Sequence, residues 1–263
     1  MNRKVITICF CIFCFCPKVA FSKALFGEIT KEDFFSKKPQ VVDAQTNMPI
    51  TGAAVALPSE NEIDFTDKNG NFNLRSSAHS PVILSVQKEG YRPFSLTLKD
   101  GQIRDNLKLR LEKNSSNSIV ISDNMMHLGD NSFSENSAGA CLINSPCVGP
   151  SFTKEFQVKQ VTPNTRAYVT IGSVIGIDTI QAMRLGQNKL TNAASTPMEI
   201  FINKEKIGEL KINGDNQKIP IPNNLLKSMA TNTVTIKTGV NQSPISDVDY
   251  DDVELMNLFV DIR

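Results

Sequence analysis

Val82-Ile83-Leu84-Ser85-Val86-Gln87-Lys88-Glu89-Gly90-Tyr91-Arg92-Pro93-Phe94-Ser95-Leu96-Thr97-Leu98 reads as strand, turn, strand. Both ends are rich in β-branched and apolar residues with period-2 character, and Lys88-Glu89-Gly90 is turn chemistry. The same pattern continues on either side. Ala53–Leu57 is a short apolar run, Phe72-Asn73-Leu74 alternates, and Leu107-Lys108-Leu109-Arg110-Leu111 alternates throughout. Asp67-Lys68-Asn69-Gly70 supplies another turn, in which Gly70 meets the need for a positive φ. Regular short strands divided by turns, with no helical period between them, predict an antiparallel sandwich.

Beyond a polar stretch at 114–118, Asn-Ser-Ser-Asn-Ser, the β character resumes. That stretch has nothing to bury and reads as a linker. Alternating segments follow at 156–161, 166–171, 199–202, 206–212, 218–221, 233–237 and 253–258. Asn223–Lys227 is the only helical turn expected. This count and length predict a sandwich of jelly-roll type over 119–263. The expected fold class is therefore all-β, with two antiparallel β-sandwich domains, at 38–113 and 119–263.

The first 22 residues have a different character. Arg3 and Lys4 precede an apolar run from Val5 to Cys16, and Ala20 and Ser22 occupy the −3 and −1 positions of a cleavage site. This is the pattern of a cleavable signal peptide at 1–22. The run holds 12 residues, short of the roughly 20 that a spanning helix needs. An uncleaved anchor is the alternative. No cysteine of the run follows a small residue in the way a lipoprotein signal requires. The expected location is periplasmic or extracellular, in a bacterium, with no transmembrane segment in the mature chain.

Cleavage changes the charge. The full chain has 28 Lys and Arg against 27 Asp and Glu. Three of the basic residues and none of the acidic ones lie in 1–22, so the mature chain is slightly acidic. It has no basic patch suited to nucleic acid and no polybasic membrane-binding segment. Four of the six cysteines also leave with the signal. Cys141 and Cys147 remain, with five residues between them, and in an oxidising compartment the simplest expectation is a disulfide. A metal site there lacks further Cys or His ligands.

Three motifs carry a family resemblance. They are Val42–Val55 around Pro49, Thr66-Asp67-Lys68-Asn69-Gly70-Asn71-Phe72, and Leu84-Ser85-Val86-Gln87-Lys88-Glu89-Gly90-Tyr91. Together they resemble a carboxypeptidase regulatory-like domain, a seven-stranded transthyretin-like sandwich, over about 38–113. The resemblance implies a spacer, adhesion or carbohydrate-associated module in an exported protein. It also implies that Phe72, Leu74 and Tyr91 face the core. The glycine usual before the opening strand is Gln40 here. Asp67 has a turn-forming reading and a ligand-binding one, of which the turn is favoured. The strand order after 118 resembles the galactose-binding-like sandwiches, many of which are carbohydrate-binding modules.

Zinc-peptidase chemistry has no support. The chain has two histidines, His79 and His127, and no His-Glu-x-x-His spacing. His127 with Ser132 or Ser134 would need a nucleophile elbow that is missing, so no catalytic residue is assigned. The most unusual stretch is Asp247-Val248-Asp249-Tyr250-Asp251-Asp252-Val253-Glu254, five carboxylates in eight residues. Extended, it points Asp247, Asp249 and Asp251 one way and Asp252 and Glu254 the other. Two readings stay open: a Ca²⁺ site built from Asp247, Asp249, Asp251 and Asp252, or a solvated acidic loop. Tyr250, with His127 and Asp130 at one edge, is the candidate ligand site. Trp is absent and Tyr occurs three times, which disfavours a flat aromatic polysaccharide platform. The expected partner is a glycan, or an envelope or host protein.

Overall fold

A computed structural model describes residues 38–75, 81–101, 103–139, 143, 145–188, 192–243 and 247–263. The signal segment, His79 and Cys141 lie outside the described residues. Residues Lys37–Arg263 form one compact unit, and that unit is nearly all β.

Six strands make the first sandwich. β1 (Gln40–Asp43) pairs in parallel with β6 (Lys108–Leu111). β3 (Glu62–Phe65), β2 (Ala54–Leu57), β4 (Val82–Gln87) and β5 (Phe94–Leu98) form an antiparallel sheet in that order. Val41, Val55, Leu84, Val86, Leu109 and Leu111 meet in its core. Phe72 and Leu74 are buried there as expected. They do not form a strand, because the chain pairs with β1 only through a single bridge, Asn71 to Gln40. Gly70 has φ +75°, and a Cβ on it would lie 2.5 Å from the Val41 carbonyl, so this tight approach requires glycine. Asp67 accepts the N–H groups of Asn69 and Asn71 (2.8 and 2.9 Å), which is the turn-forming role. Tyr91 packs against the core, and its hydroxyl donates to Asp43 (3.1 Å).

Eight strands make the second sandwich. They are β7 (Ser118–Leu128), β8 (Ser151–Gln157), β9 (Ala167–Ile175), β10 (Met198–Ile202), β11 (Glu205–Leu210), β12 (Gly214–Ile221), β13 (Thr231–Lys237) and β14 (Val253–Ile262). The sheet β7-β14-β9-β12 faces the sheet β8-β13-β10-β11. That order is the winding of a jelly roll. Ile171, Leu255 and Leu258 of one sheet meet Ile200, Val234 and Ile236 of the other between them. A short helix, α1 (Ile180–Arg184), is capped by Thr179, whose Oγ1 accepts the Ala182 N–H. The sequence reading did not find it, since five residues carry too little period to register.

The two sandwiches are not strung on a loose linker. Asn114 donates to the Gly90 carbonyl (3.0 Å), and β7 begins at Ser118. The hairpin β4–β5 lies across the outer face of the β7-β14-β9-β12 sheet. There Ile83 meets Ile175 and Met256, with Met125 beside them. Every residue of β14 from Val253 to Asp261 is consequently buried. The strand carries Glu254, Asn257 and Asp261 on this doubly covered path, and each needs a local answer.

Asp261 is answered by a clamp. Arg92, from the first sandwich, donates to both Asp261 oxygens (2.5 and 3.0 Å). Ser118 Oγ and Thr170 Oγ1 donate to them as well (2.7 and 2.6 Å). Burial opposes the charge of Asp261, but the Arg92, Thr170 and Ser118 bonds outweigh it and hold the carboxyl below its usual range. The Arg92 guanidinium lies 3.8 Å over the Phe259 ring. The side chains of this pair are only 22% and 12% exposed. It is therefore no ordinary surface pair, which would be worth about 0–1 kcal/mol.

Asp261→Ala leaves Arg92 buried and uncompensated, and the expected cost is about 3 kcal/mol. In urea, the wild-type protein should unfold in one transition. The variant should unfold at lower urea, with the first sandwich's transition separating from the second's.

Candidate functional site

The acidic run enters β14, and the β7–β14 pairing sets Glu254 opposite His127. His127 is almost fully buried. Its Nε2 is 2.7 Å from Asp252 Oδ1, and its Nδ1 is 2.7 Å from the Ser145 carbonyl. Ser145 Oγ donates to Glu254 (2.6 Å). Asp252 Oδ1 also accepts the Asn131 N–H (3.0 Å). Gly129 makes this packing possible: a Cβ there would sit 2.1 Å from Asp252 Oδ1. Asp130 turns away from His127. It accepts the Tyr250 N–H (2.7 Å) and the Ser132 N–H (3.0 Å).

The other acidic side chains take separate paths. Asp249 accepts Ser137 Oγ, the Ala138 N–H and Asn241 Nδ2 (2.6, 2.7 and 2.8 Å). Asp251 accepts Ser195 Oγ (2.6 Å) and the Asp178 N–H (3.1 Å). Asp247 is exposed. The four carboxylates assigned to calcium thus sit in different surroundings. Among the described residues, no group of three or more His, Cys, Asp or Glu is placed to hold a metal ion. Nor is the run a solvated loop, since Asp249, Asp251, Asp252 and Glu254 are all buried. Asp249, Asp252 and Glu254 tie the segment after β7 to the last strand, and Asp251 ties in Asp178 and Ser195.

Burial by itself would lower the His127 pKa. The Asp252 bond, the Ser145 carbonyl and the charges of Asp252 and Glu254 reverse that and raise it. Burial raises Asp251 well above the carboxylate range, and nearby Asp178 pushes it the same way. Burial raises Glu254, against the Ser145 bond and the His127 charge. Both His127 nitrogens are engaged, and neither Ser132 nor Ser134 is its partner. Cys147 Sγ donates to the Gly129 carbonyl (2.8 Å), and among the described residues it has no disulfide partner. Its pairing with Cys141 falls on a residue outside the described ones.

An open concavity lies elsewhere. A groove of about 430 Å³ runs along the junction of the two sandwiches. Arg92, Phe94, Arg110 and Glu112 line one side, and Asn216 and Lys218 of β12 line the other. Thr170, Phe259 and Asp261 contribute from the sheet beneath. Its size falls in the range of small-ligand sites, which favour domain junctions. The sequence reading missed it. Its walls come from segments more than 100 residues apart, and no local pattern signals that they meet.

Residues 39–121 match the CarboxypepD_reg-like domain. No curated protein matches the chain. The matched segment contains the first sandwich, the join and the opening of β7. The matched segment supplies the Arg92 clamp and one whole wall of the groove. Its Asp43 accepts the Thr46 and Gln45 N–H groups and the Tyr91 hydroxyl. The Thr46 bond leads these in holding that carboxyl, against burial, at about 2.

The shifts at His127, Asp251 and Glu254 set a pH dependence. Each group binds its proton more tightly in the fold than in the unfolded chain, so each loses stability as pH rises through its folded value. The melting temperature should therefore fall over the interval above His127's ordinary value of 6.5, and His127→Gln should flatten that fall. A melting temperature that rises across this interval contradicts the assignment. Asp251→Asn, which mimics the protonated acid, should cost under about 1 kcal/mol. Asp249→Asn exchanges a charged acceptor of three donors for a neutral amide and should cost about 2 kcal/mol. Chemical denaturation of the two variants distinguishes the sites.

Proposed function

We propose that the protein is an exported, non-catalytic binding or accessory protein whose rigid two-sandwich body recognises a glycan. The observation that carries this reading is the junction groove, of about 430 Å³ and with mixed polar and aromatic walls. Phe94, packed partly against the first sandwich's core, lines the groove with apolar surface for a pyranose. Asn117, Ser115 and Asn216 offer donors and acceptors for hydroxyls. The Tyr250 edge is the weaker location, because the acids beside it are already bound to the protein's own donors. Export is supported by the signal pattern at 1–22. Among the described residues, no helix is long and apolar enough to cross a membrane.

One observation favours a protein partner instead. Ile63 and Phe65 are 59% and 61% exposed on the edge strand β3, and an exposed apolar edge strand invites strand addition.

Glycan-array binding by the secreted protein tests the choice. The glycan reading expects a signal that Phe94→Ala weakens at least tenfold and that EDTA and Tyr250→Ala leave unchanged. A signal abolished by Tyr250→Ala or EDTA returns recognition to the acidic edge and a cation. No glycan signal, with a partner lost on Phe65→Lys, favours the edge strand. N-terminal sequencing of the exported form should begin at Lys23; an intact Met1 in that form overturns the cleavage.

A further inference from the structure

We propose that the groove takes an anionic glycan, a saccharide bearing carboxylates of the uronic-acid type, gripped through Arg110 and Lys218. This rests on the glycan reading and narrows it. The argument is a charge balance. Arg92, Arg110, Lys218 and Arg263 line the groove as cations, against Glu112, Asp215 and Asp261 as anions. Two of these seven charges are spoken for within the protein. Arg92 and Asp261 neutralise each other in the clamp. Asp215 accepts the Thr97 N–H and hydroxyl (3.0 and 2.7 Å) and the Ser173 hydroxyl (2.7 Å), neutral donors that do not offset a charge. Among the described residues, Lys218 has no side-chain partner, and Arg110 only donates to the neutral Asn47 amide (2.9 Å). What faces a ligand is therefore three cations and two carboxylates, a surplus of one positive charge.

The geometry adds direction. Arg110 stands on β6 of the first sandwich and Lys218 on β12 of the second, so a ligand held by both must lie across the junction. The planar guanidinium of Arg110 suits a carboxylate held through two parallel bonds. The Phe94 ring and the Ser115 and Asn117 side chains between them suit the neutral ring and hydroxyls of the same sugar. Phosphate would use the cations but leave the aromatic and amide groups idle.

The test uses a panel of galacturonic, glucuronic and mannuronic tetrasaccharides, each beside its methyl ester, and a poly-glutamate peptide. Binding to the full protein is measured by calorimetry at low and at high salt. At least one uronate should bind, and its methyl ester, which removes the charge and adds only a methyl group, should bind at least tenfold more weakly. Binding should weaken with salt. Lys218→Gln and Arg110→Gln should each raise Kd at least tenfold and leave the melting temperature unchanged, as both side chains are exposed. Equal binding of acid and ester overturns the anionic assignment while the glycan reading stands. Binding of poly-glutamate alone overturns it in favour of an acidic peptide. If no member of the panel binds, the proposal is overturned; neutral glycans on the array then decide the broader reading independently.

Discussion

The structure depends on burying β14 on both faces. One face closes the jelly-roll core with Leu255, Leu258 and Val260. The other receives the β4–β5 hairpin through Met256 and the Asp261 clamp. A strand covered on both sides ought to be uniformly apolar. β14 is not, and its polar residues are where the molecule is joined together. Asp261 fastens the first sandwich. Glu254, with Asp252 just before the strand, fastens the segment that follows β7 through His127 and Ser145.

The balance of forces at this junction follows from burial. The apolar contact of Ile83 with Ile175 and Met256 is small in number, but each buried side chain is worth roughly 1.5–3 kcal/mol. The Arg92–Asp261 pair adds little beyond its own desolvation cost, yet removing one partner is expensive. The apolar contact therefore supplies attraction, and the ion pair supplies register. It fixes which residue of β14 the first sandwich meets. That register is what places Arg110 opposite Lys218 and gives the groove two walls of different origin.

Much of the fold was legible in the sequence, and for physical reasons. The strand–turn–strand at 82–98, the Gly70 turn and the alternation at 107–111 are local features, and local features survive in a one-dimensional reading. β3 escaped because its alternation puts Ile63 and Phe65 toward solvent. That is the reverse of the pattern that announces a buried face. The acidic run was recognised as unusual, but composition cannot tell an exposed carboxylate from one that meets buried donors. The partners of Asp249, Asp251 and Asp252 arrive from residues 137, 195 and 127, and only the strand pairing brings them there. The link at 114–118 looked like free linker because its anchors, Gly90 and Asp261, are distant in sequence. The groove was invisible for the same reason.

The central claim is that the two sandwiches open as one body because they share β14. Native-state hydrogen exchange tests it most directly. The β14 amides should be among the slowest to exchange, and those of β4 and β5 should exchange through the same global opening, with matching dependence on denaturant. If the β4 and β5 amides exchange through a separate opening of much lower free energy while β14 stays protected, the sandwiches are independent and the account is wrong.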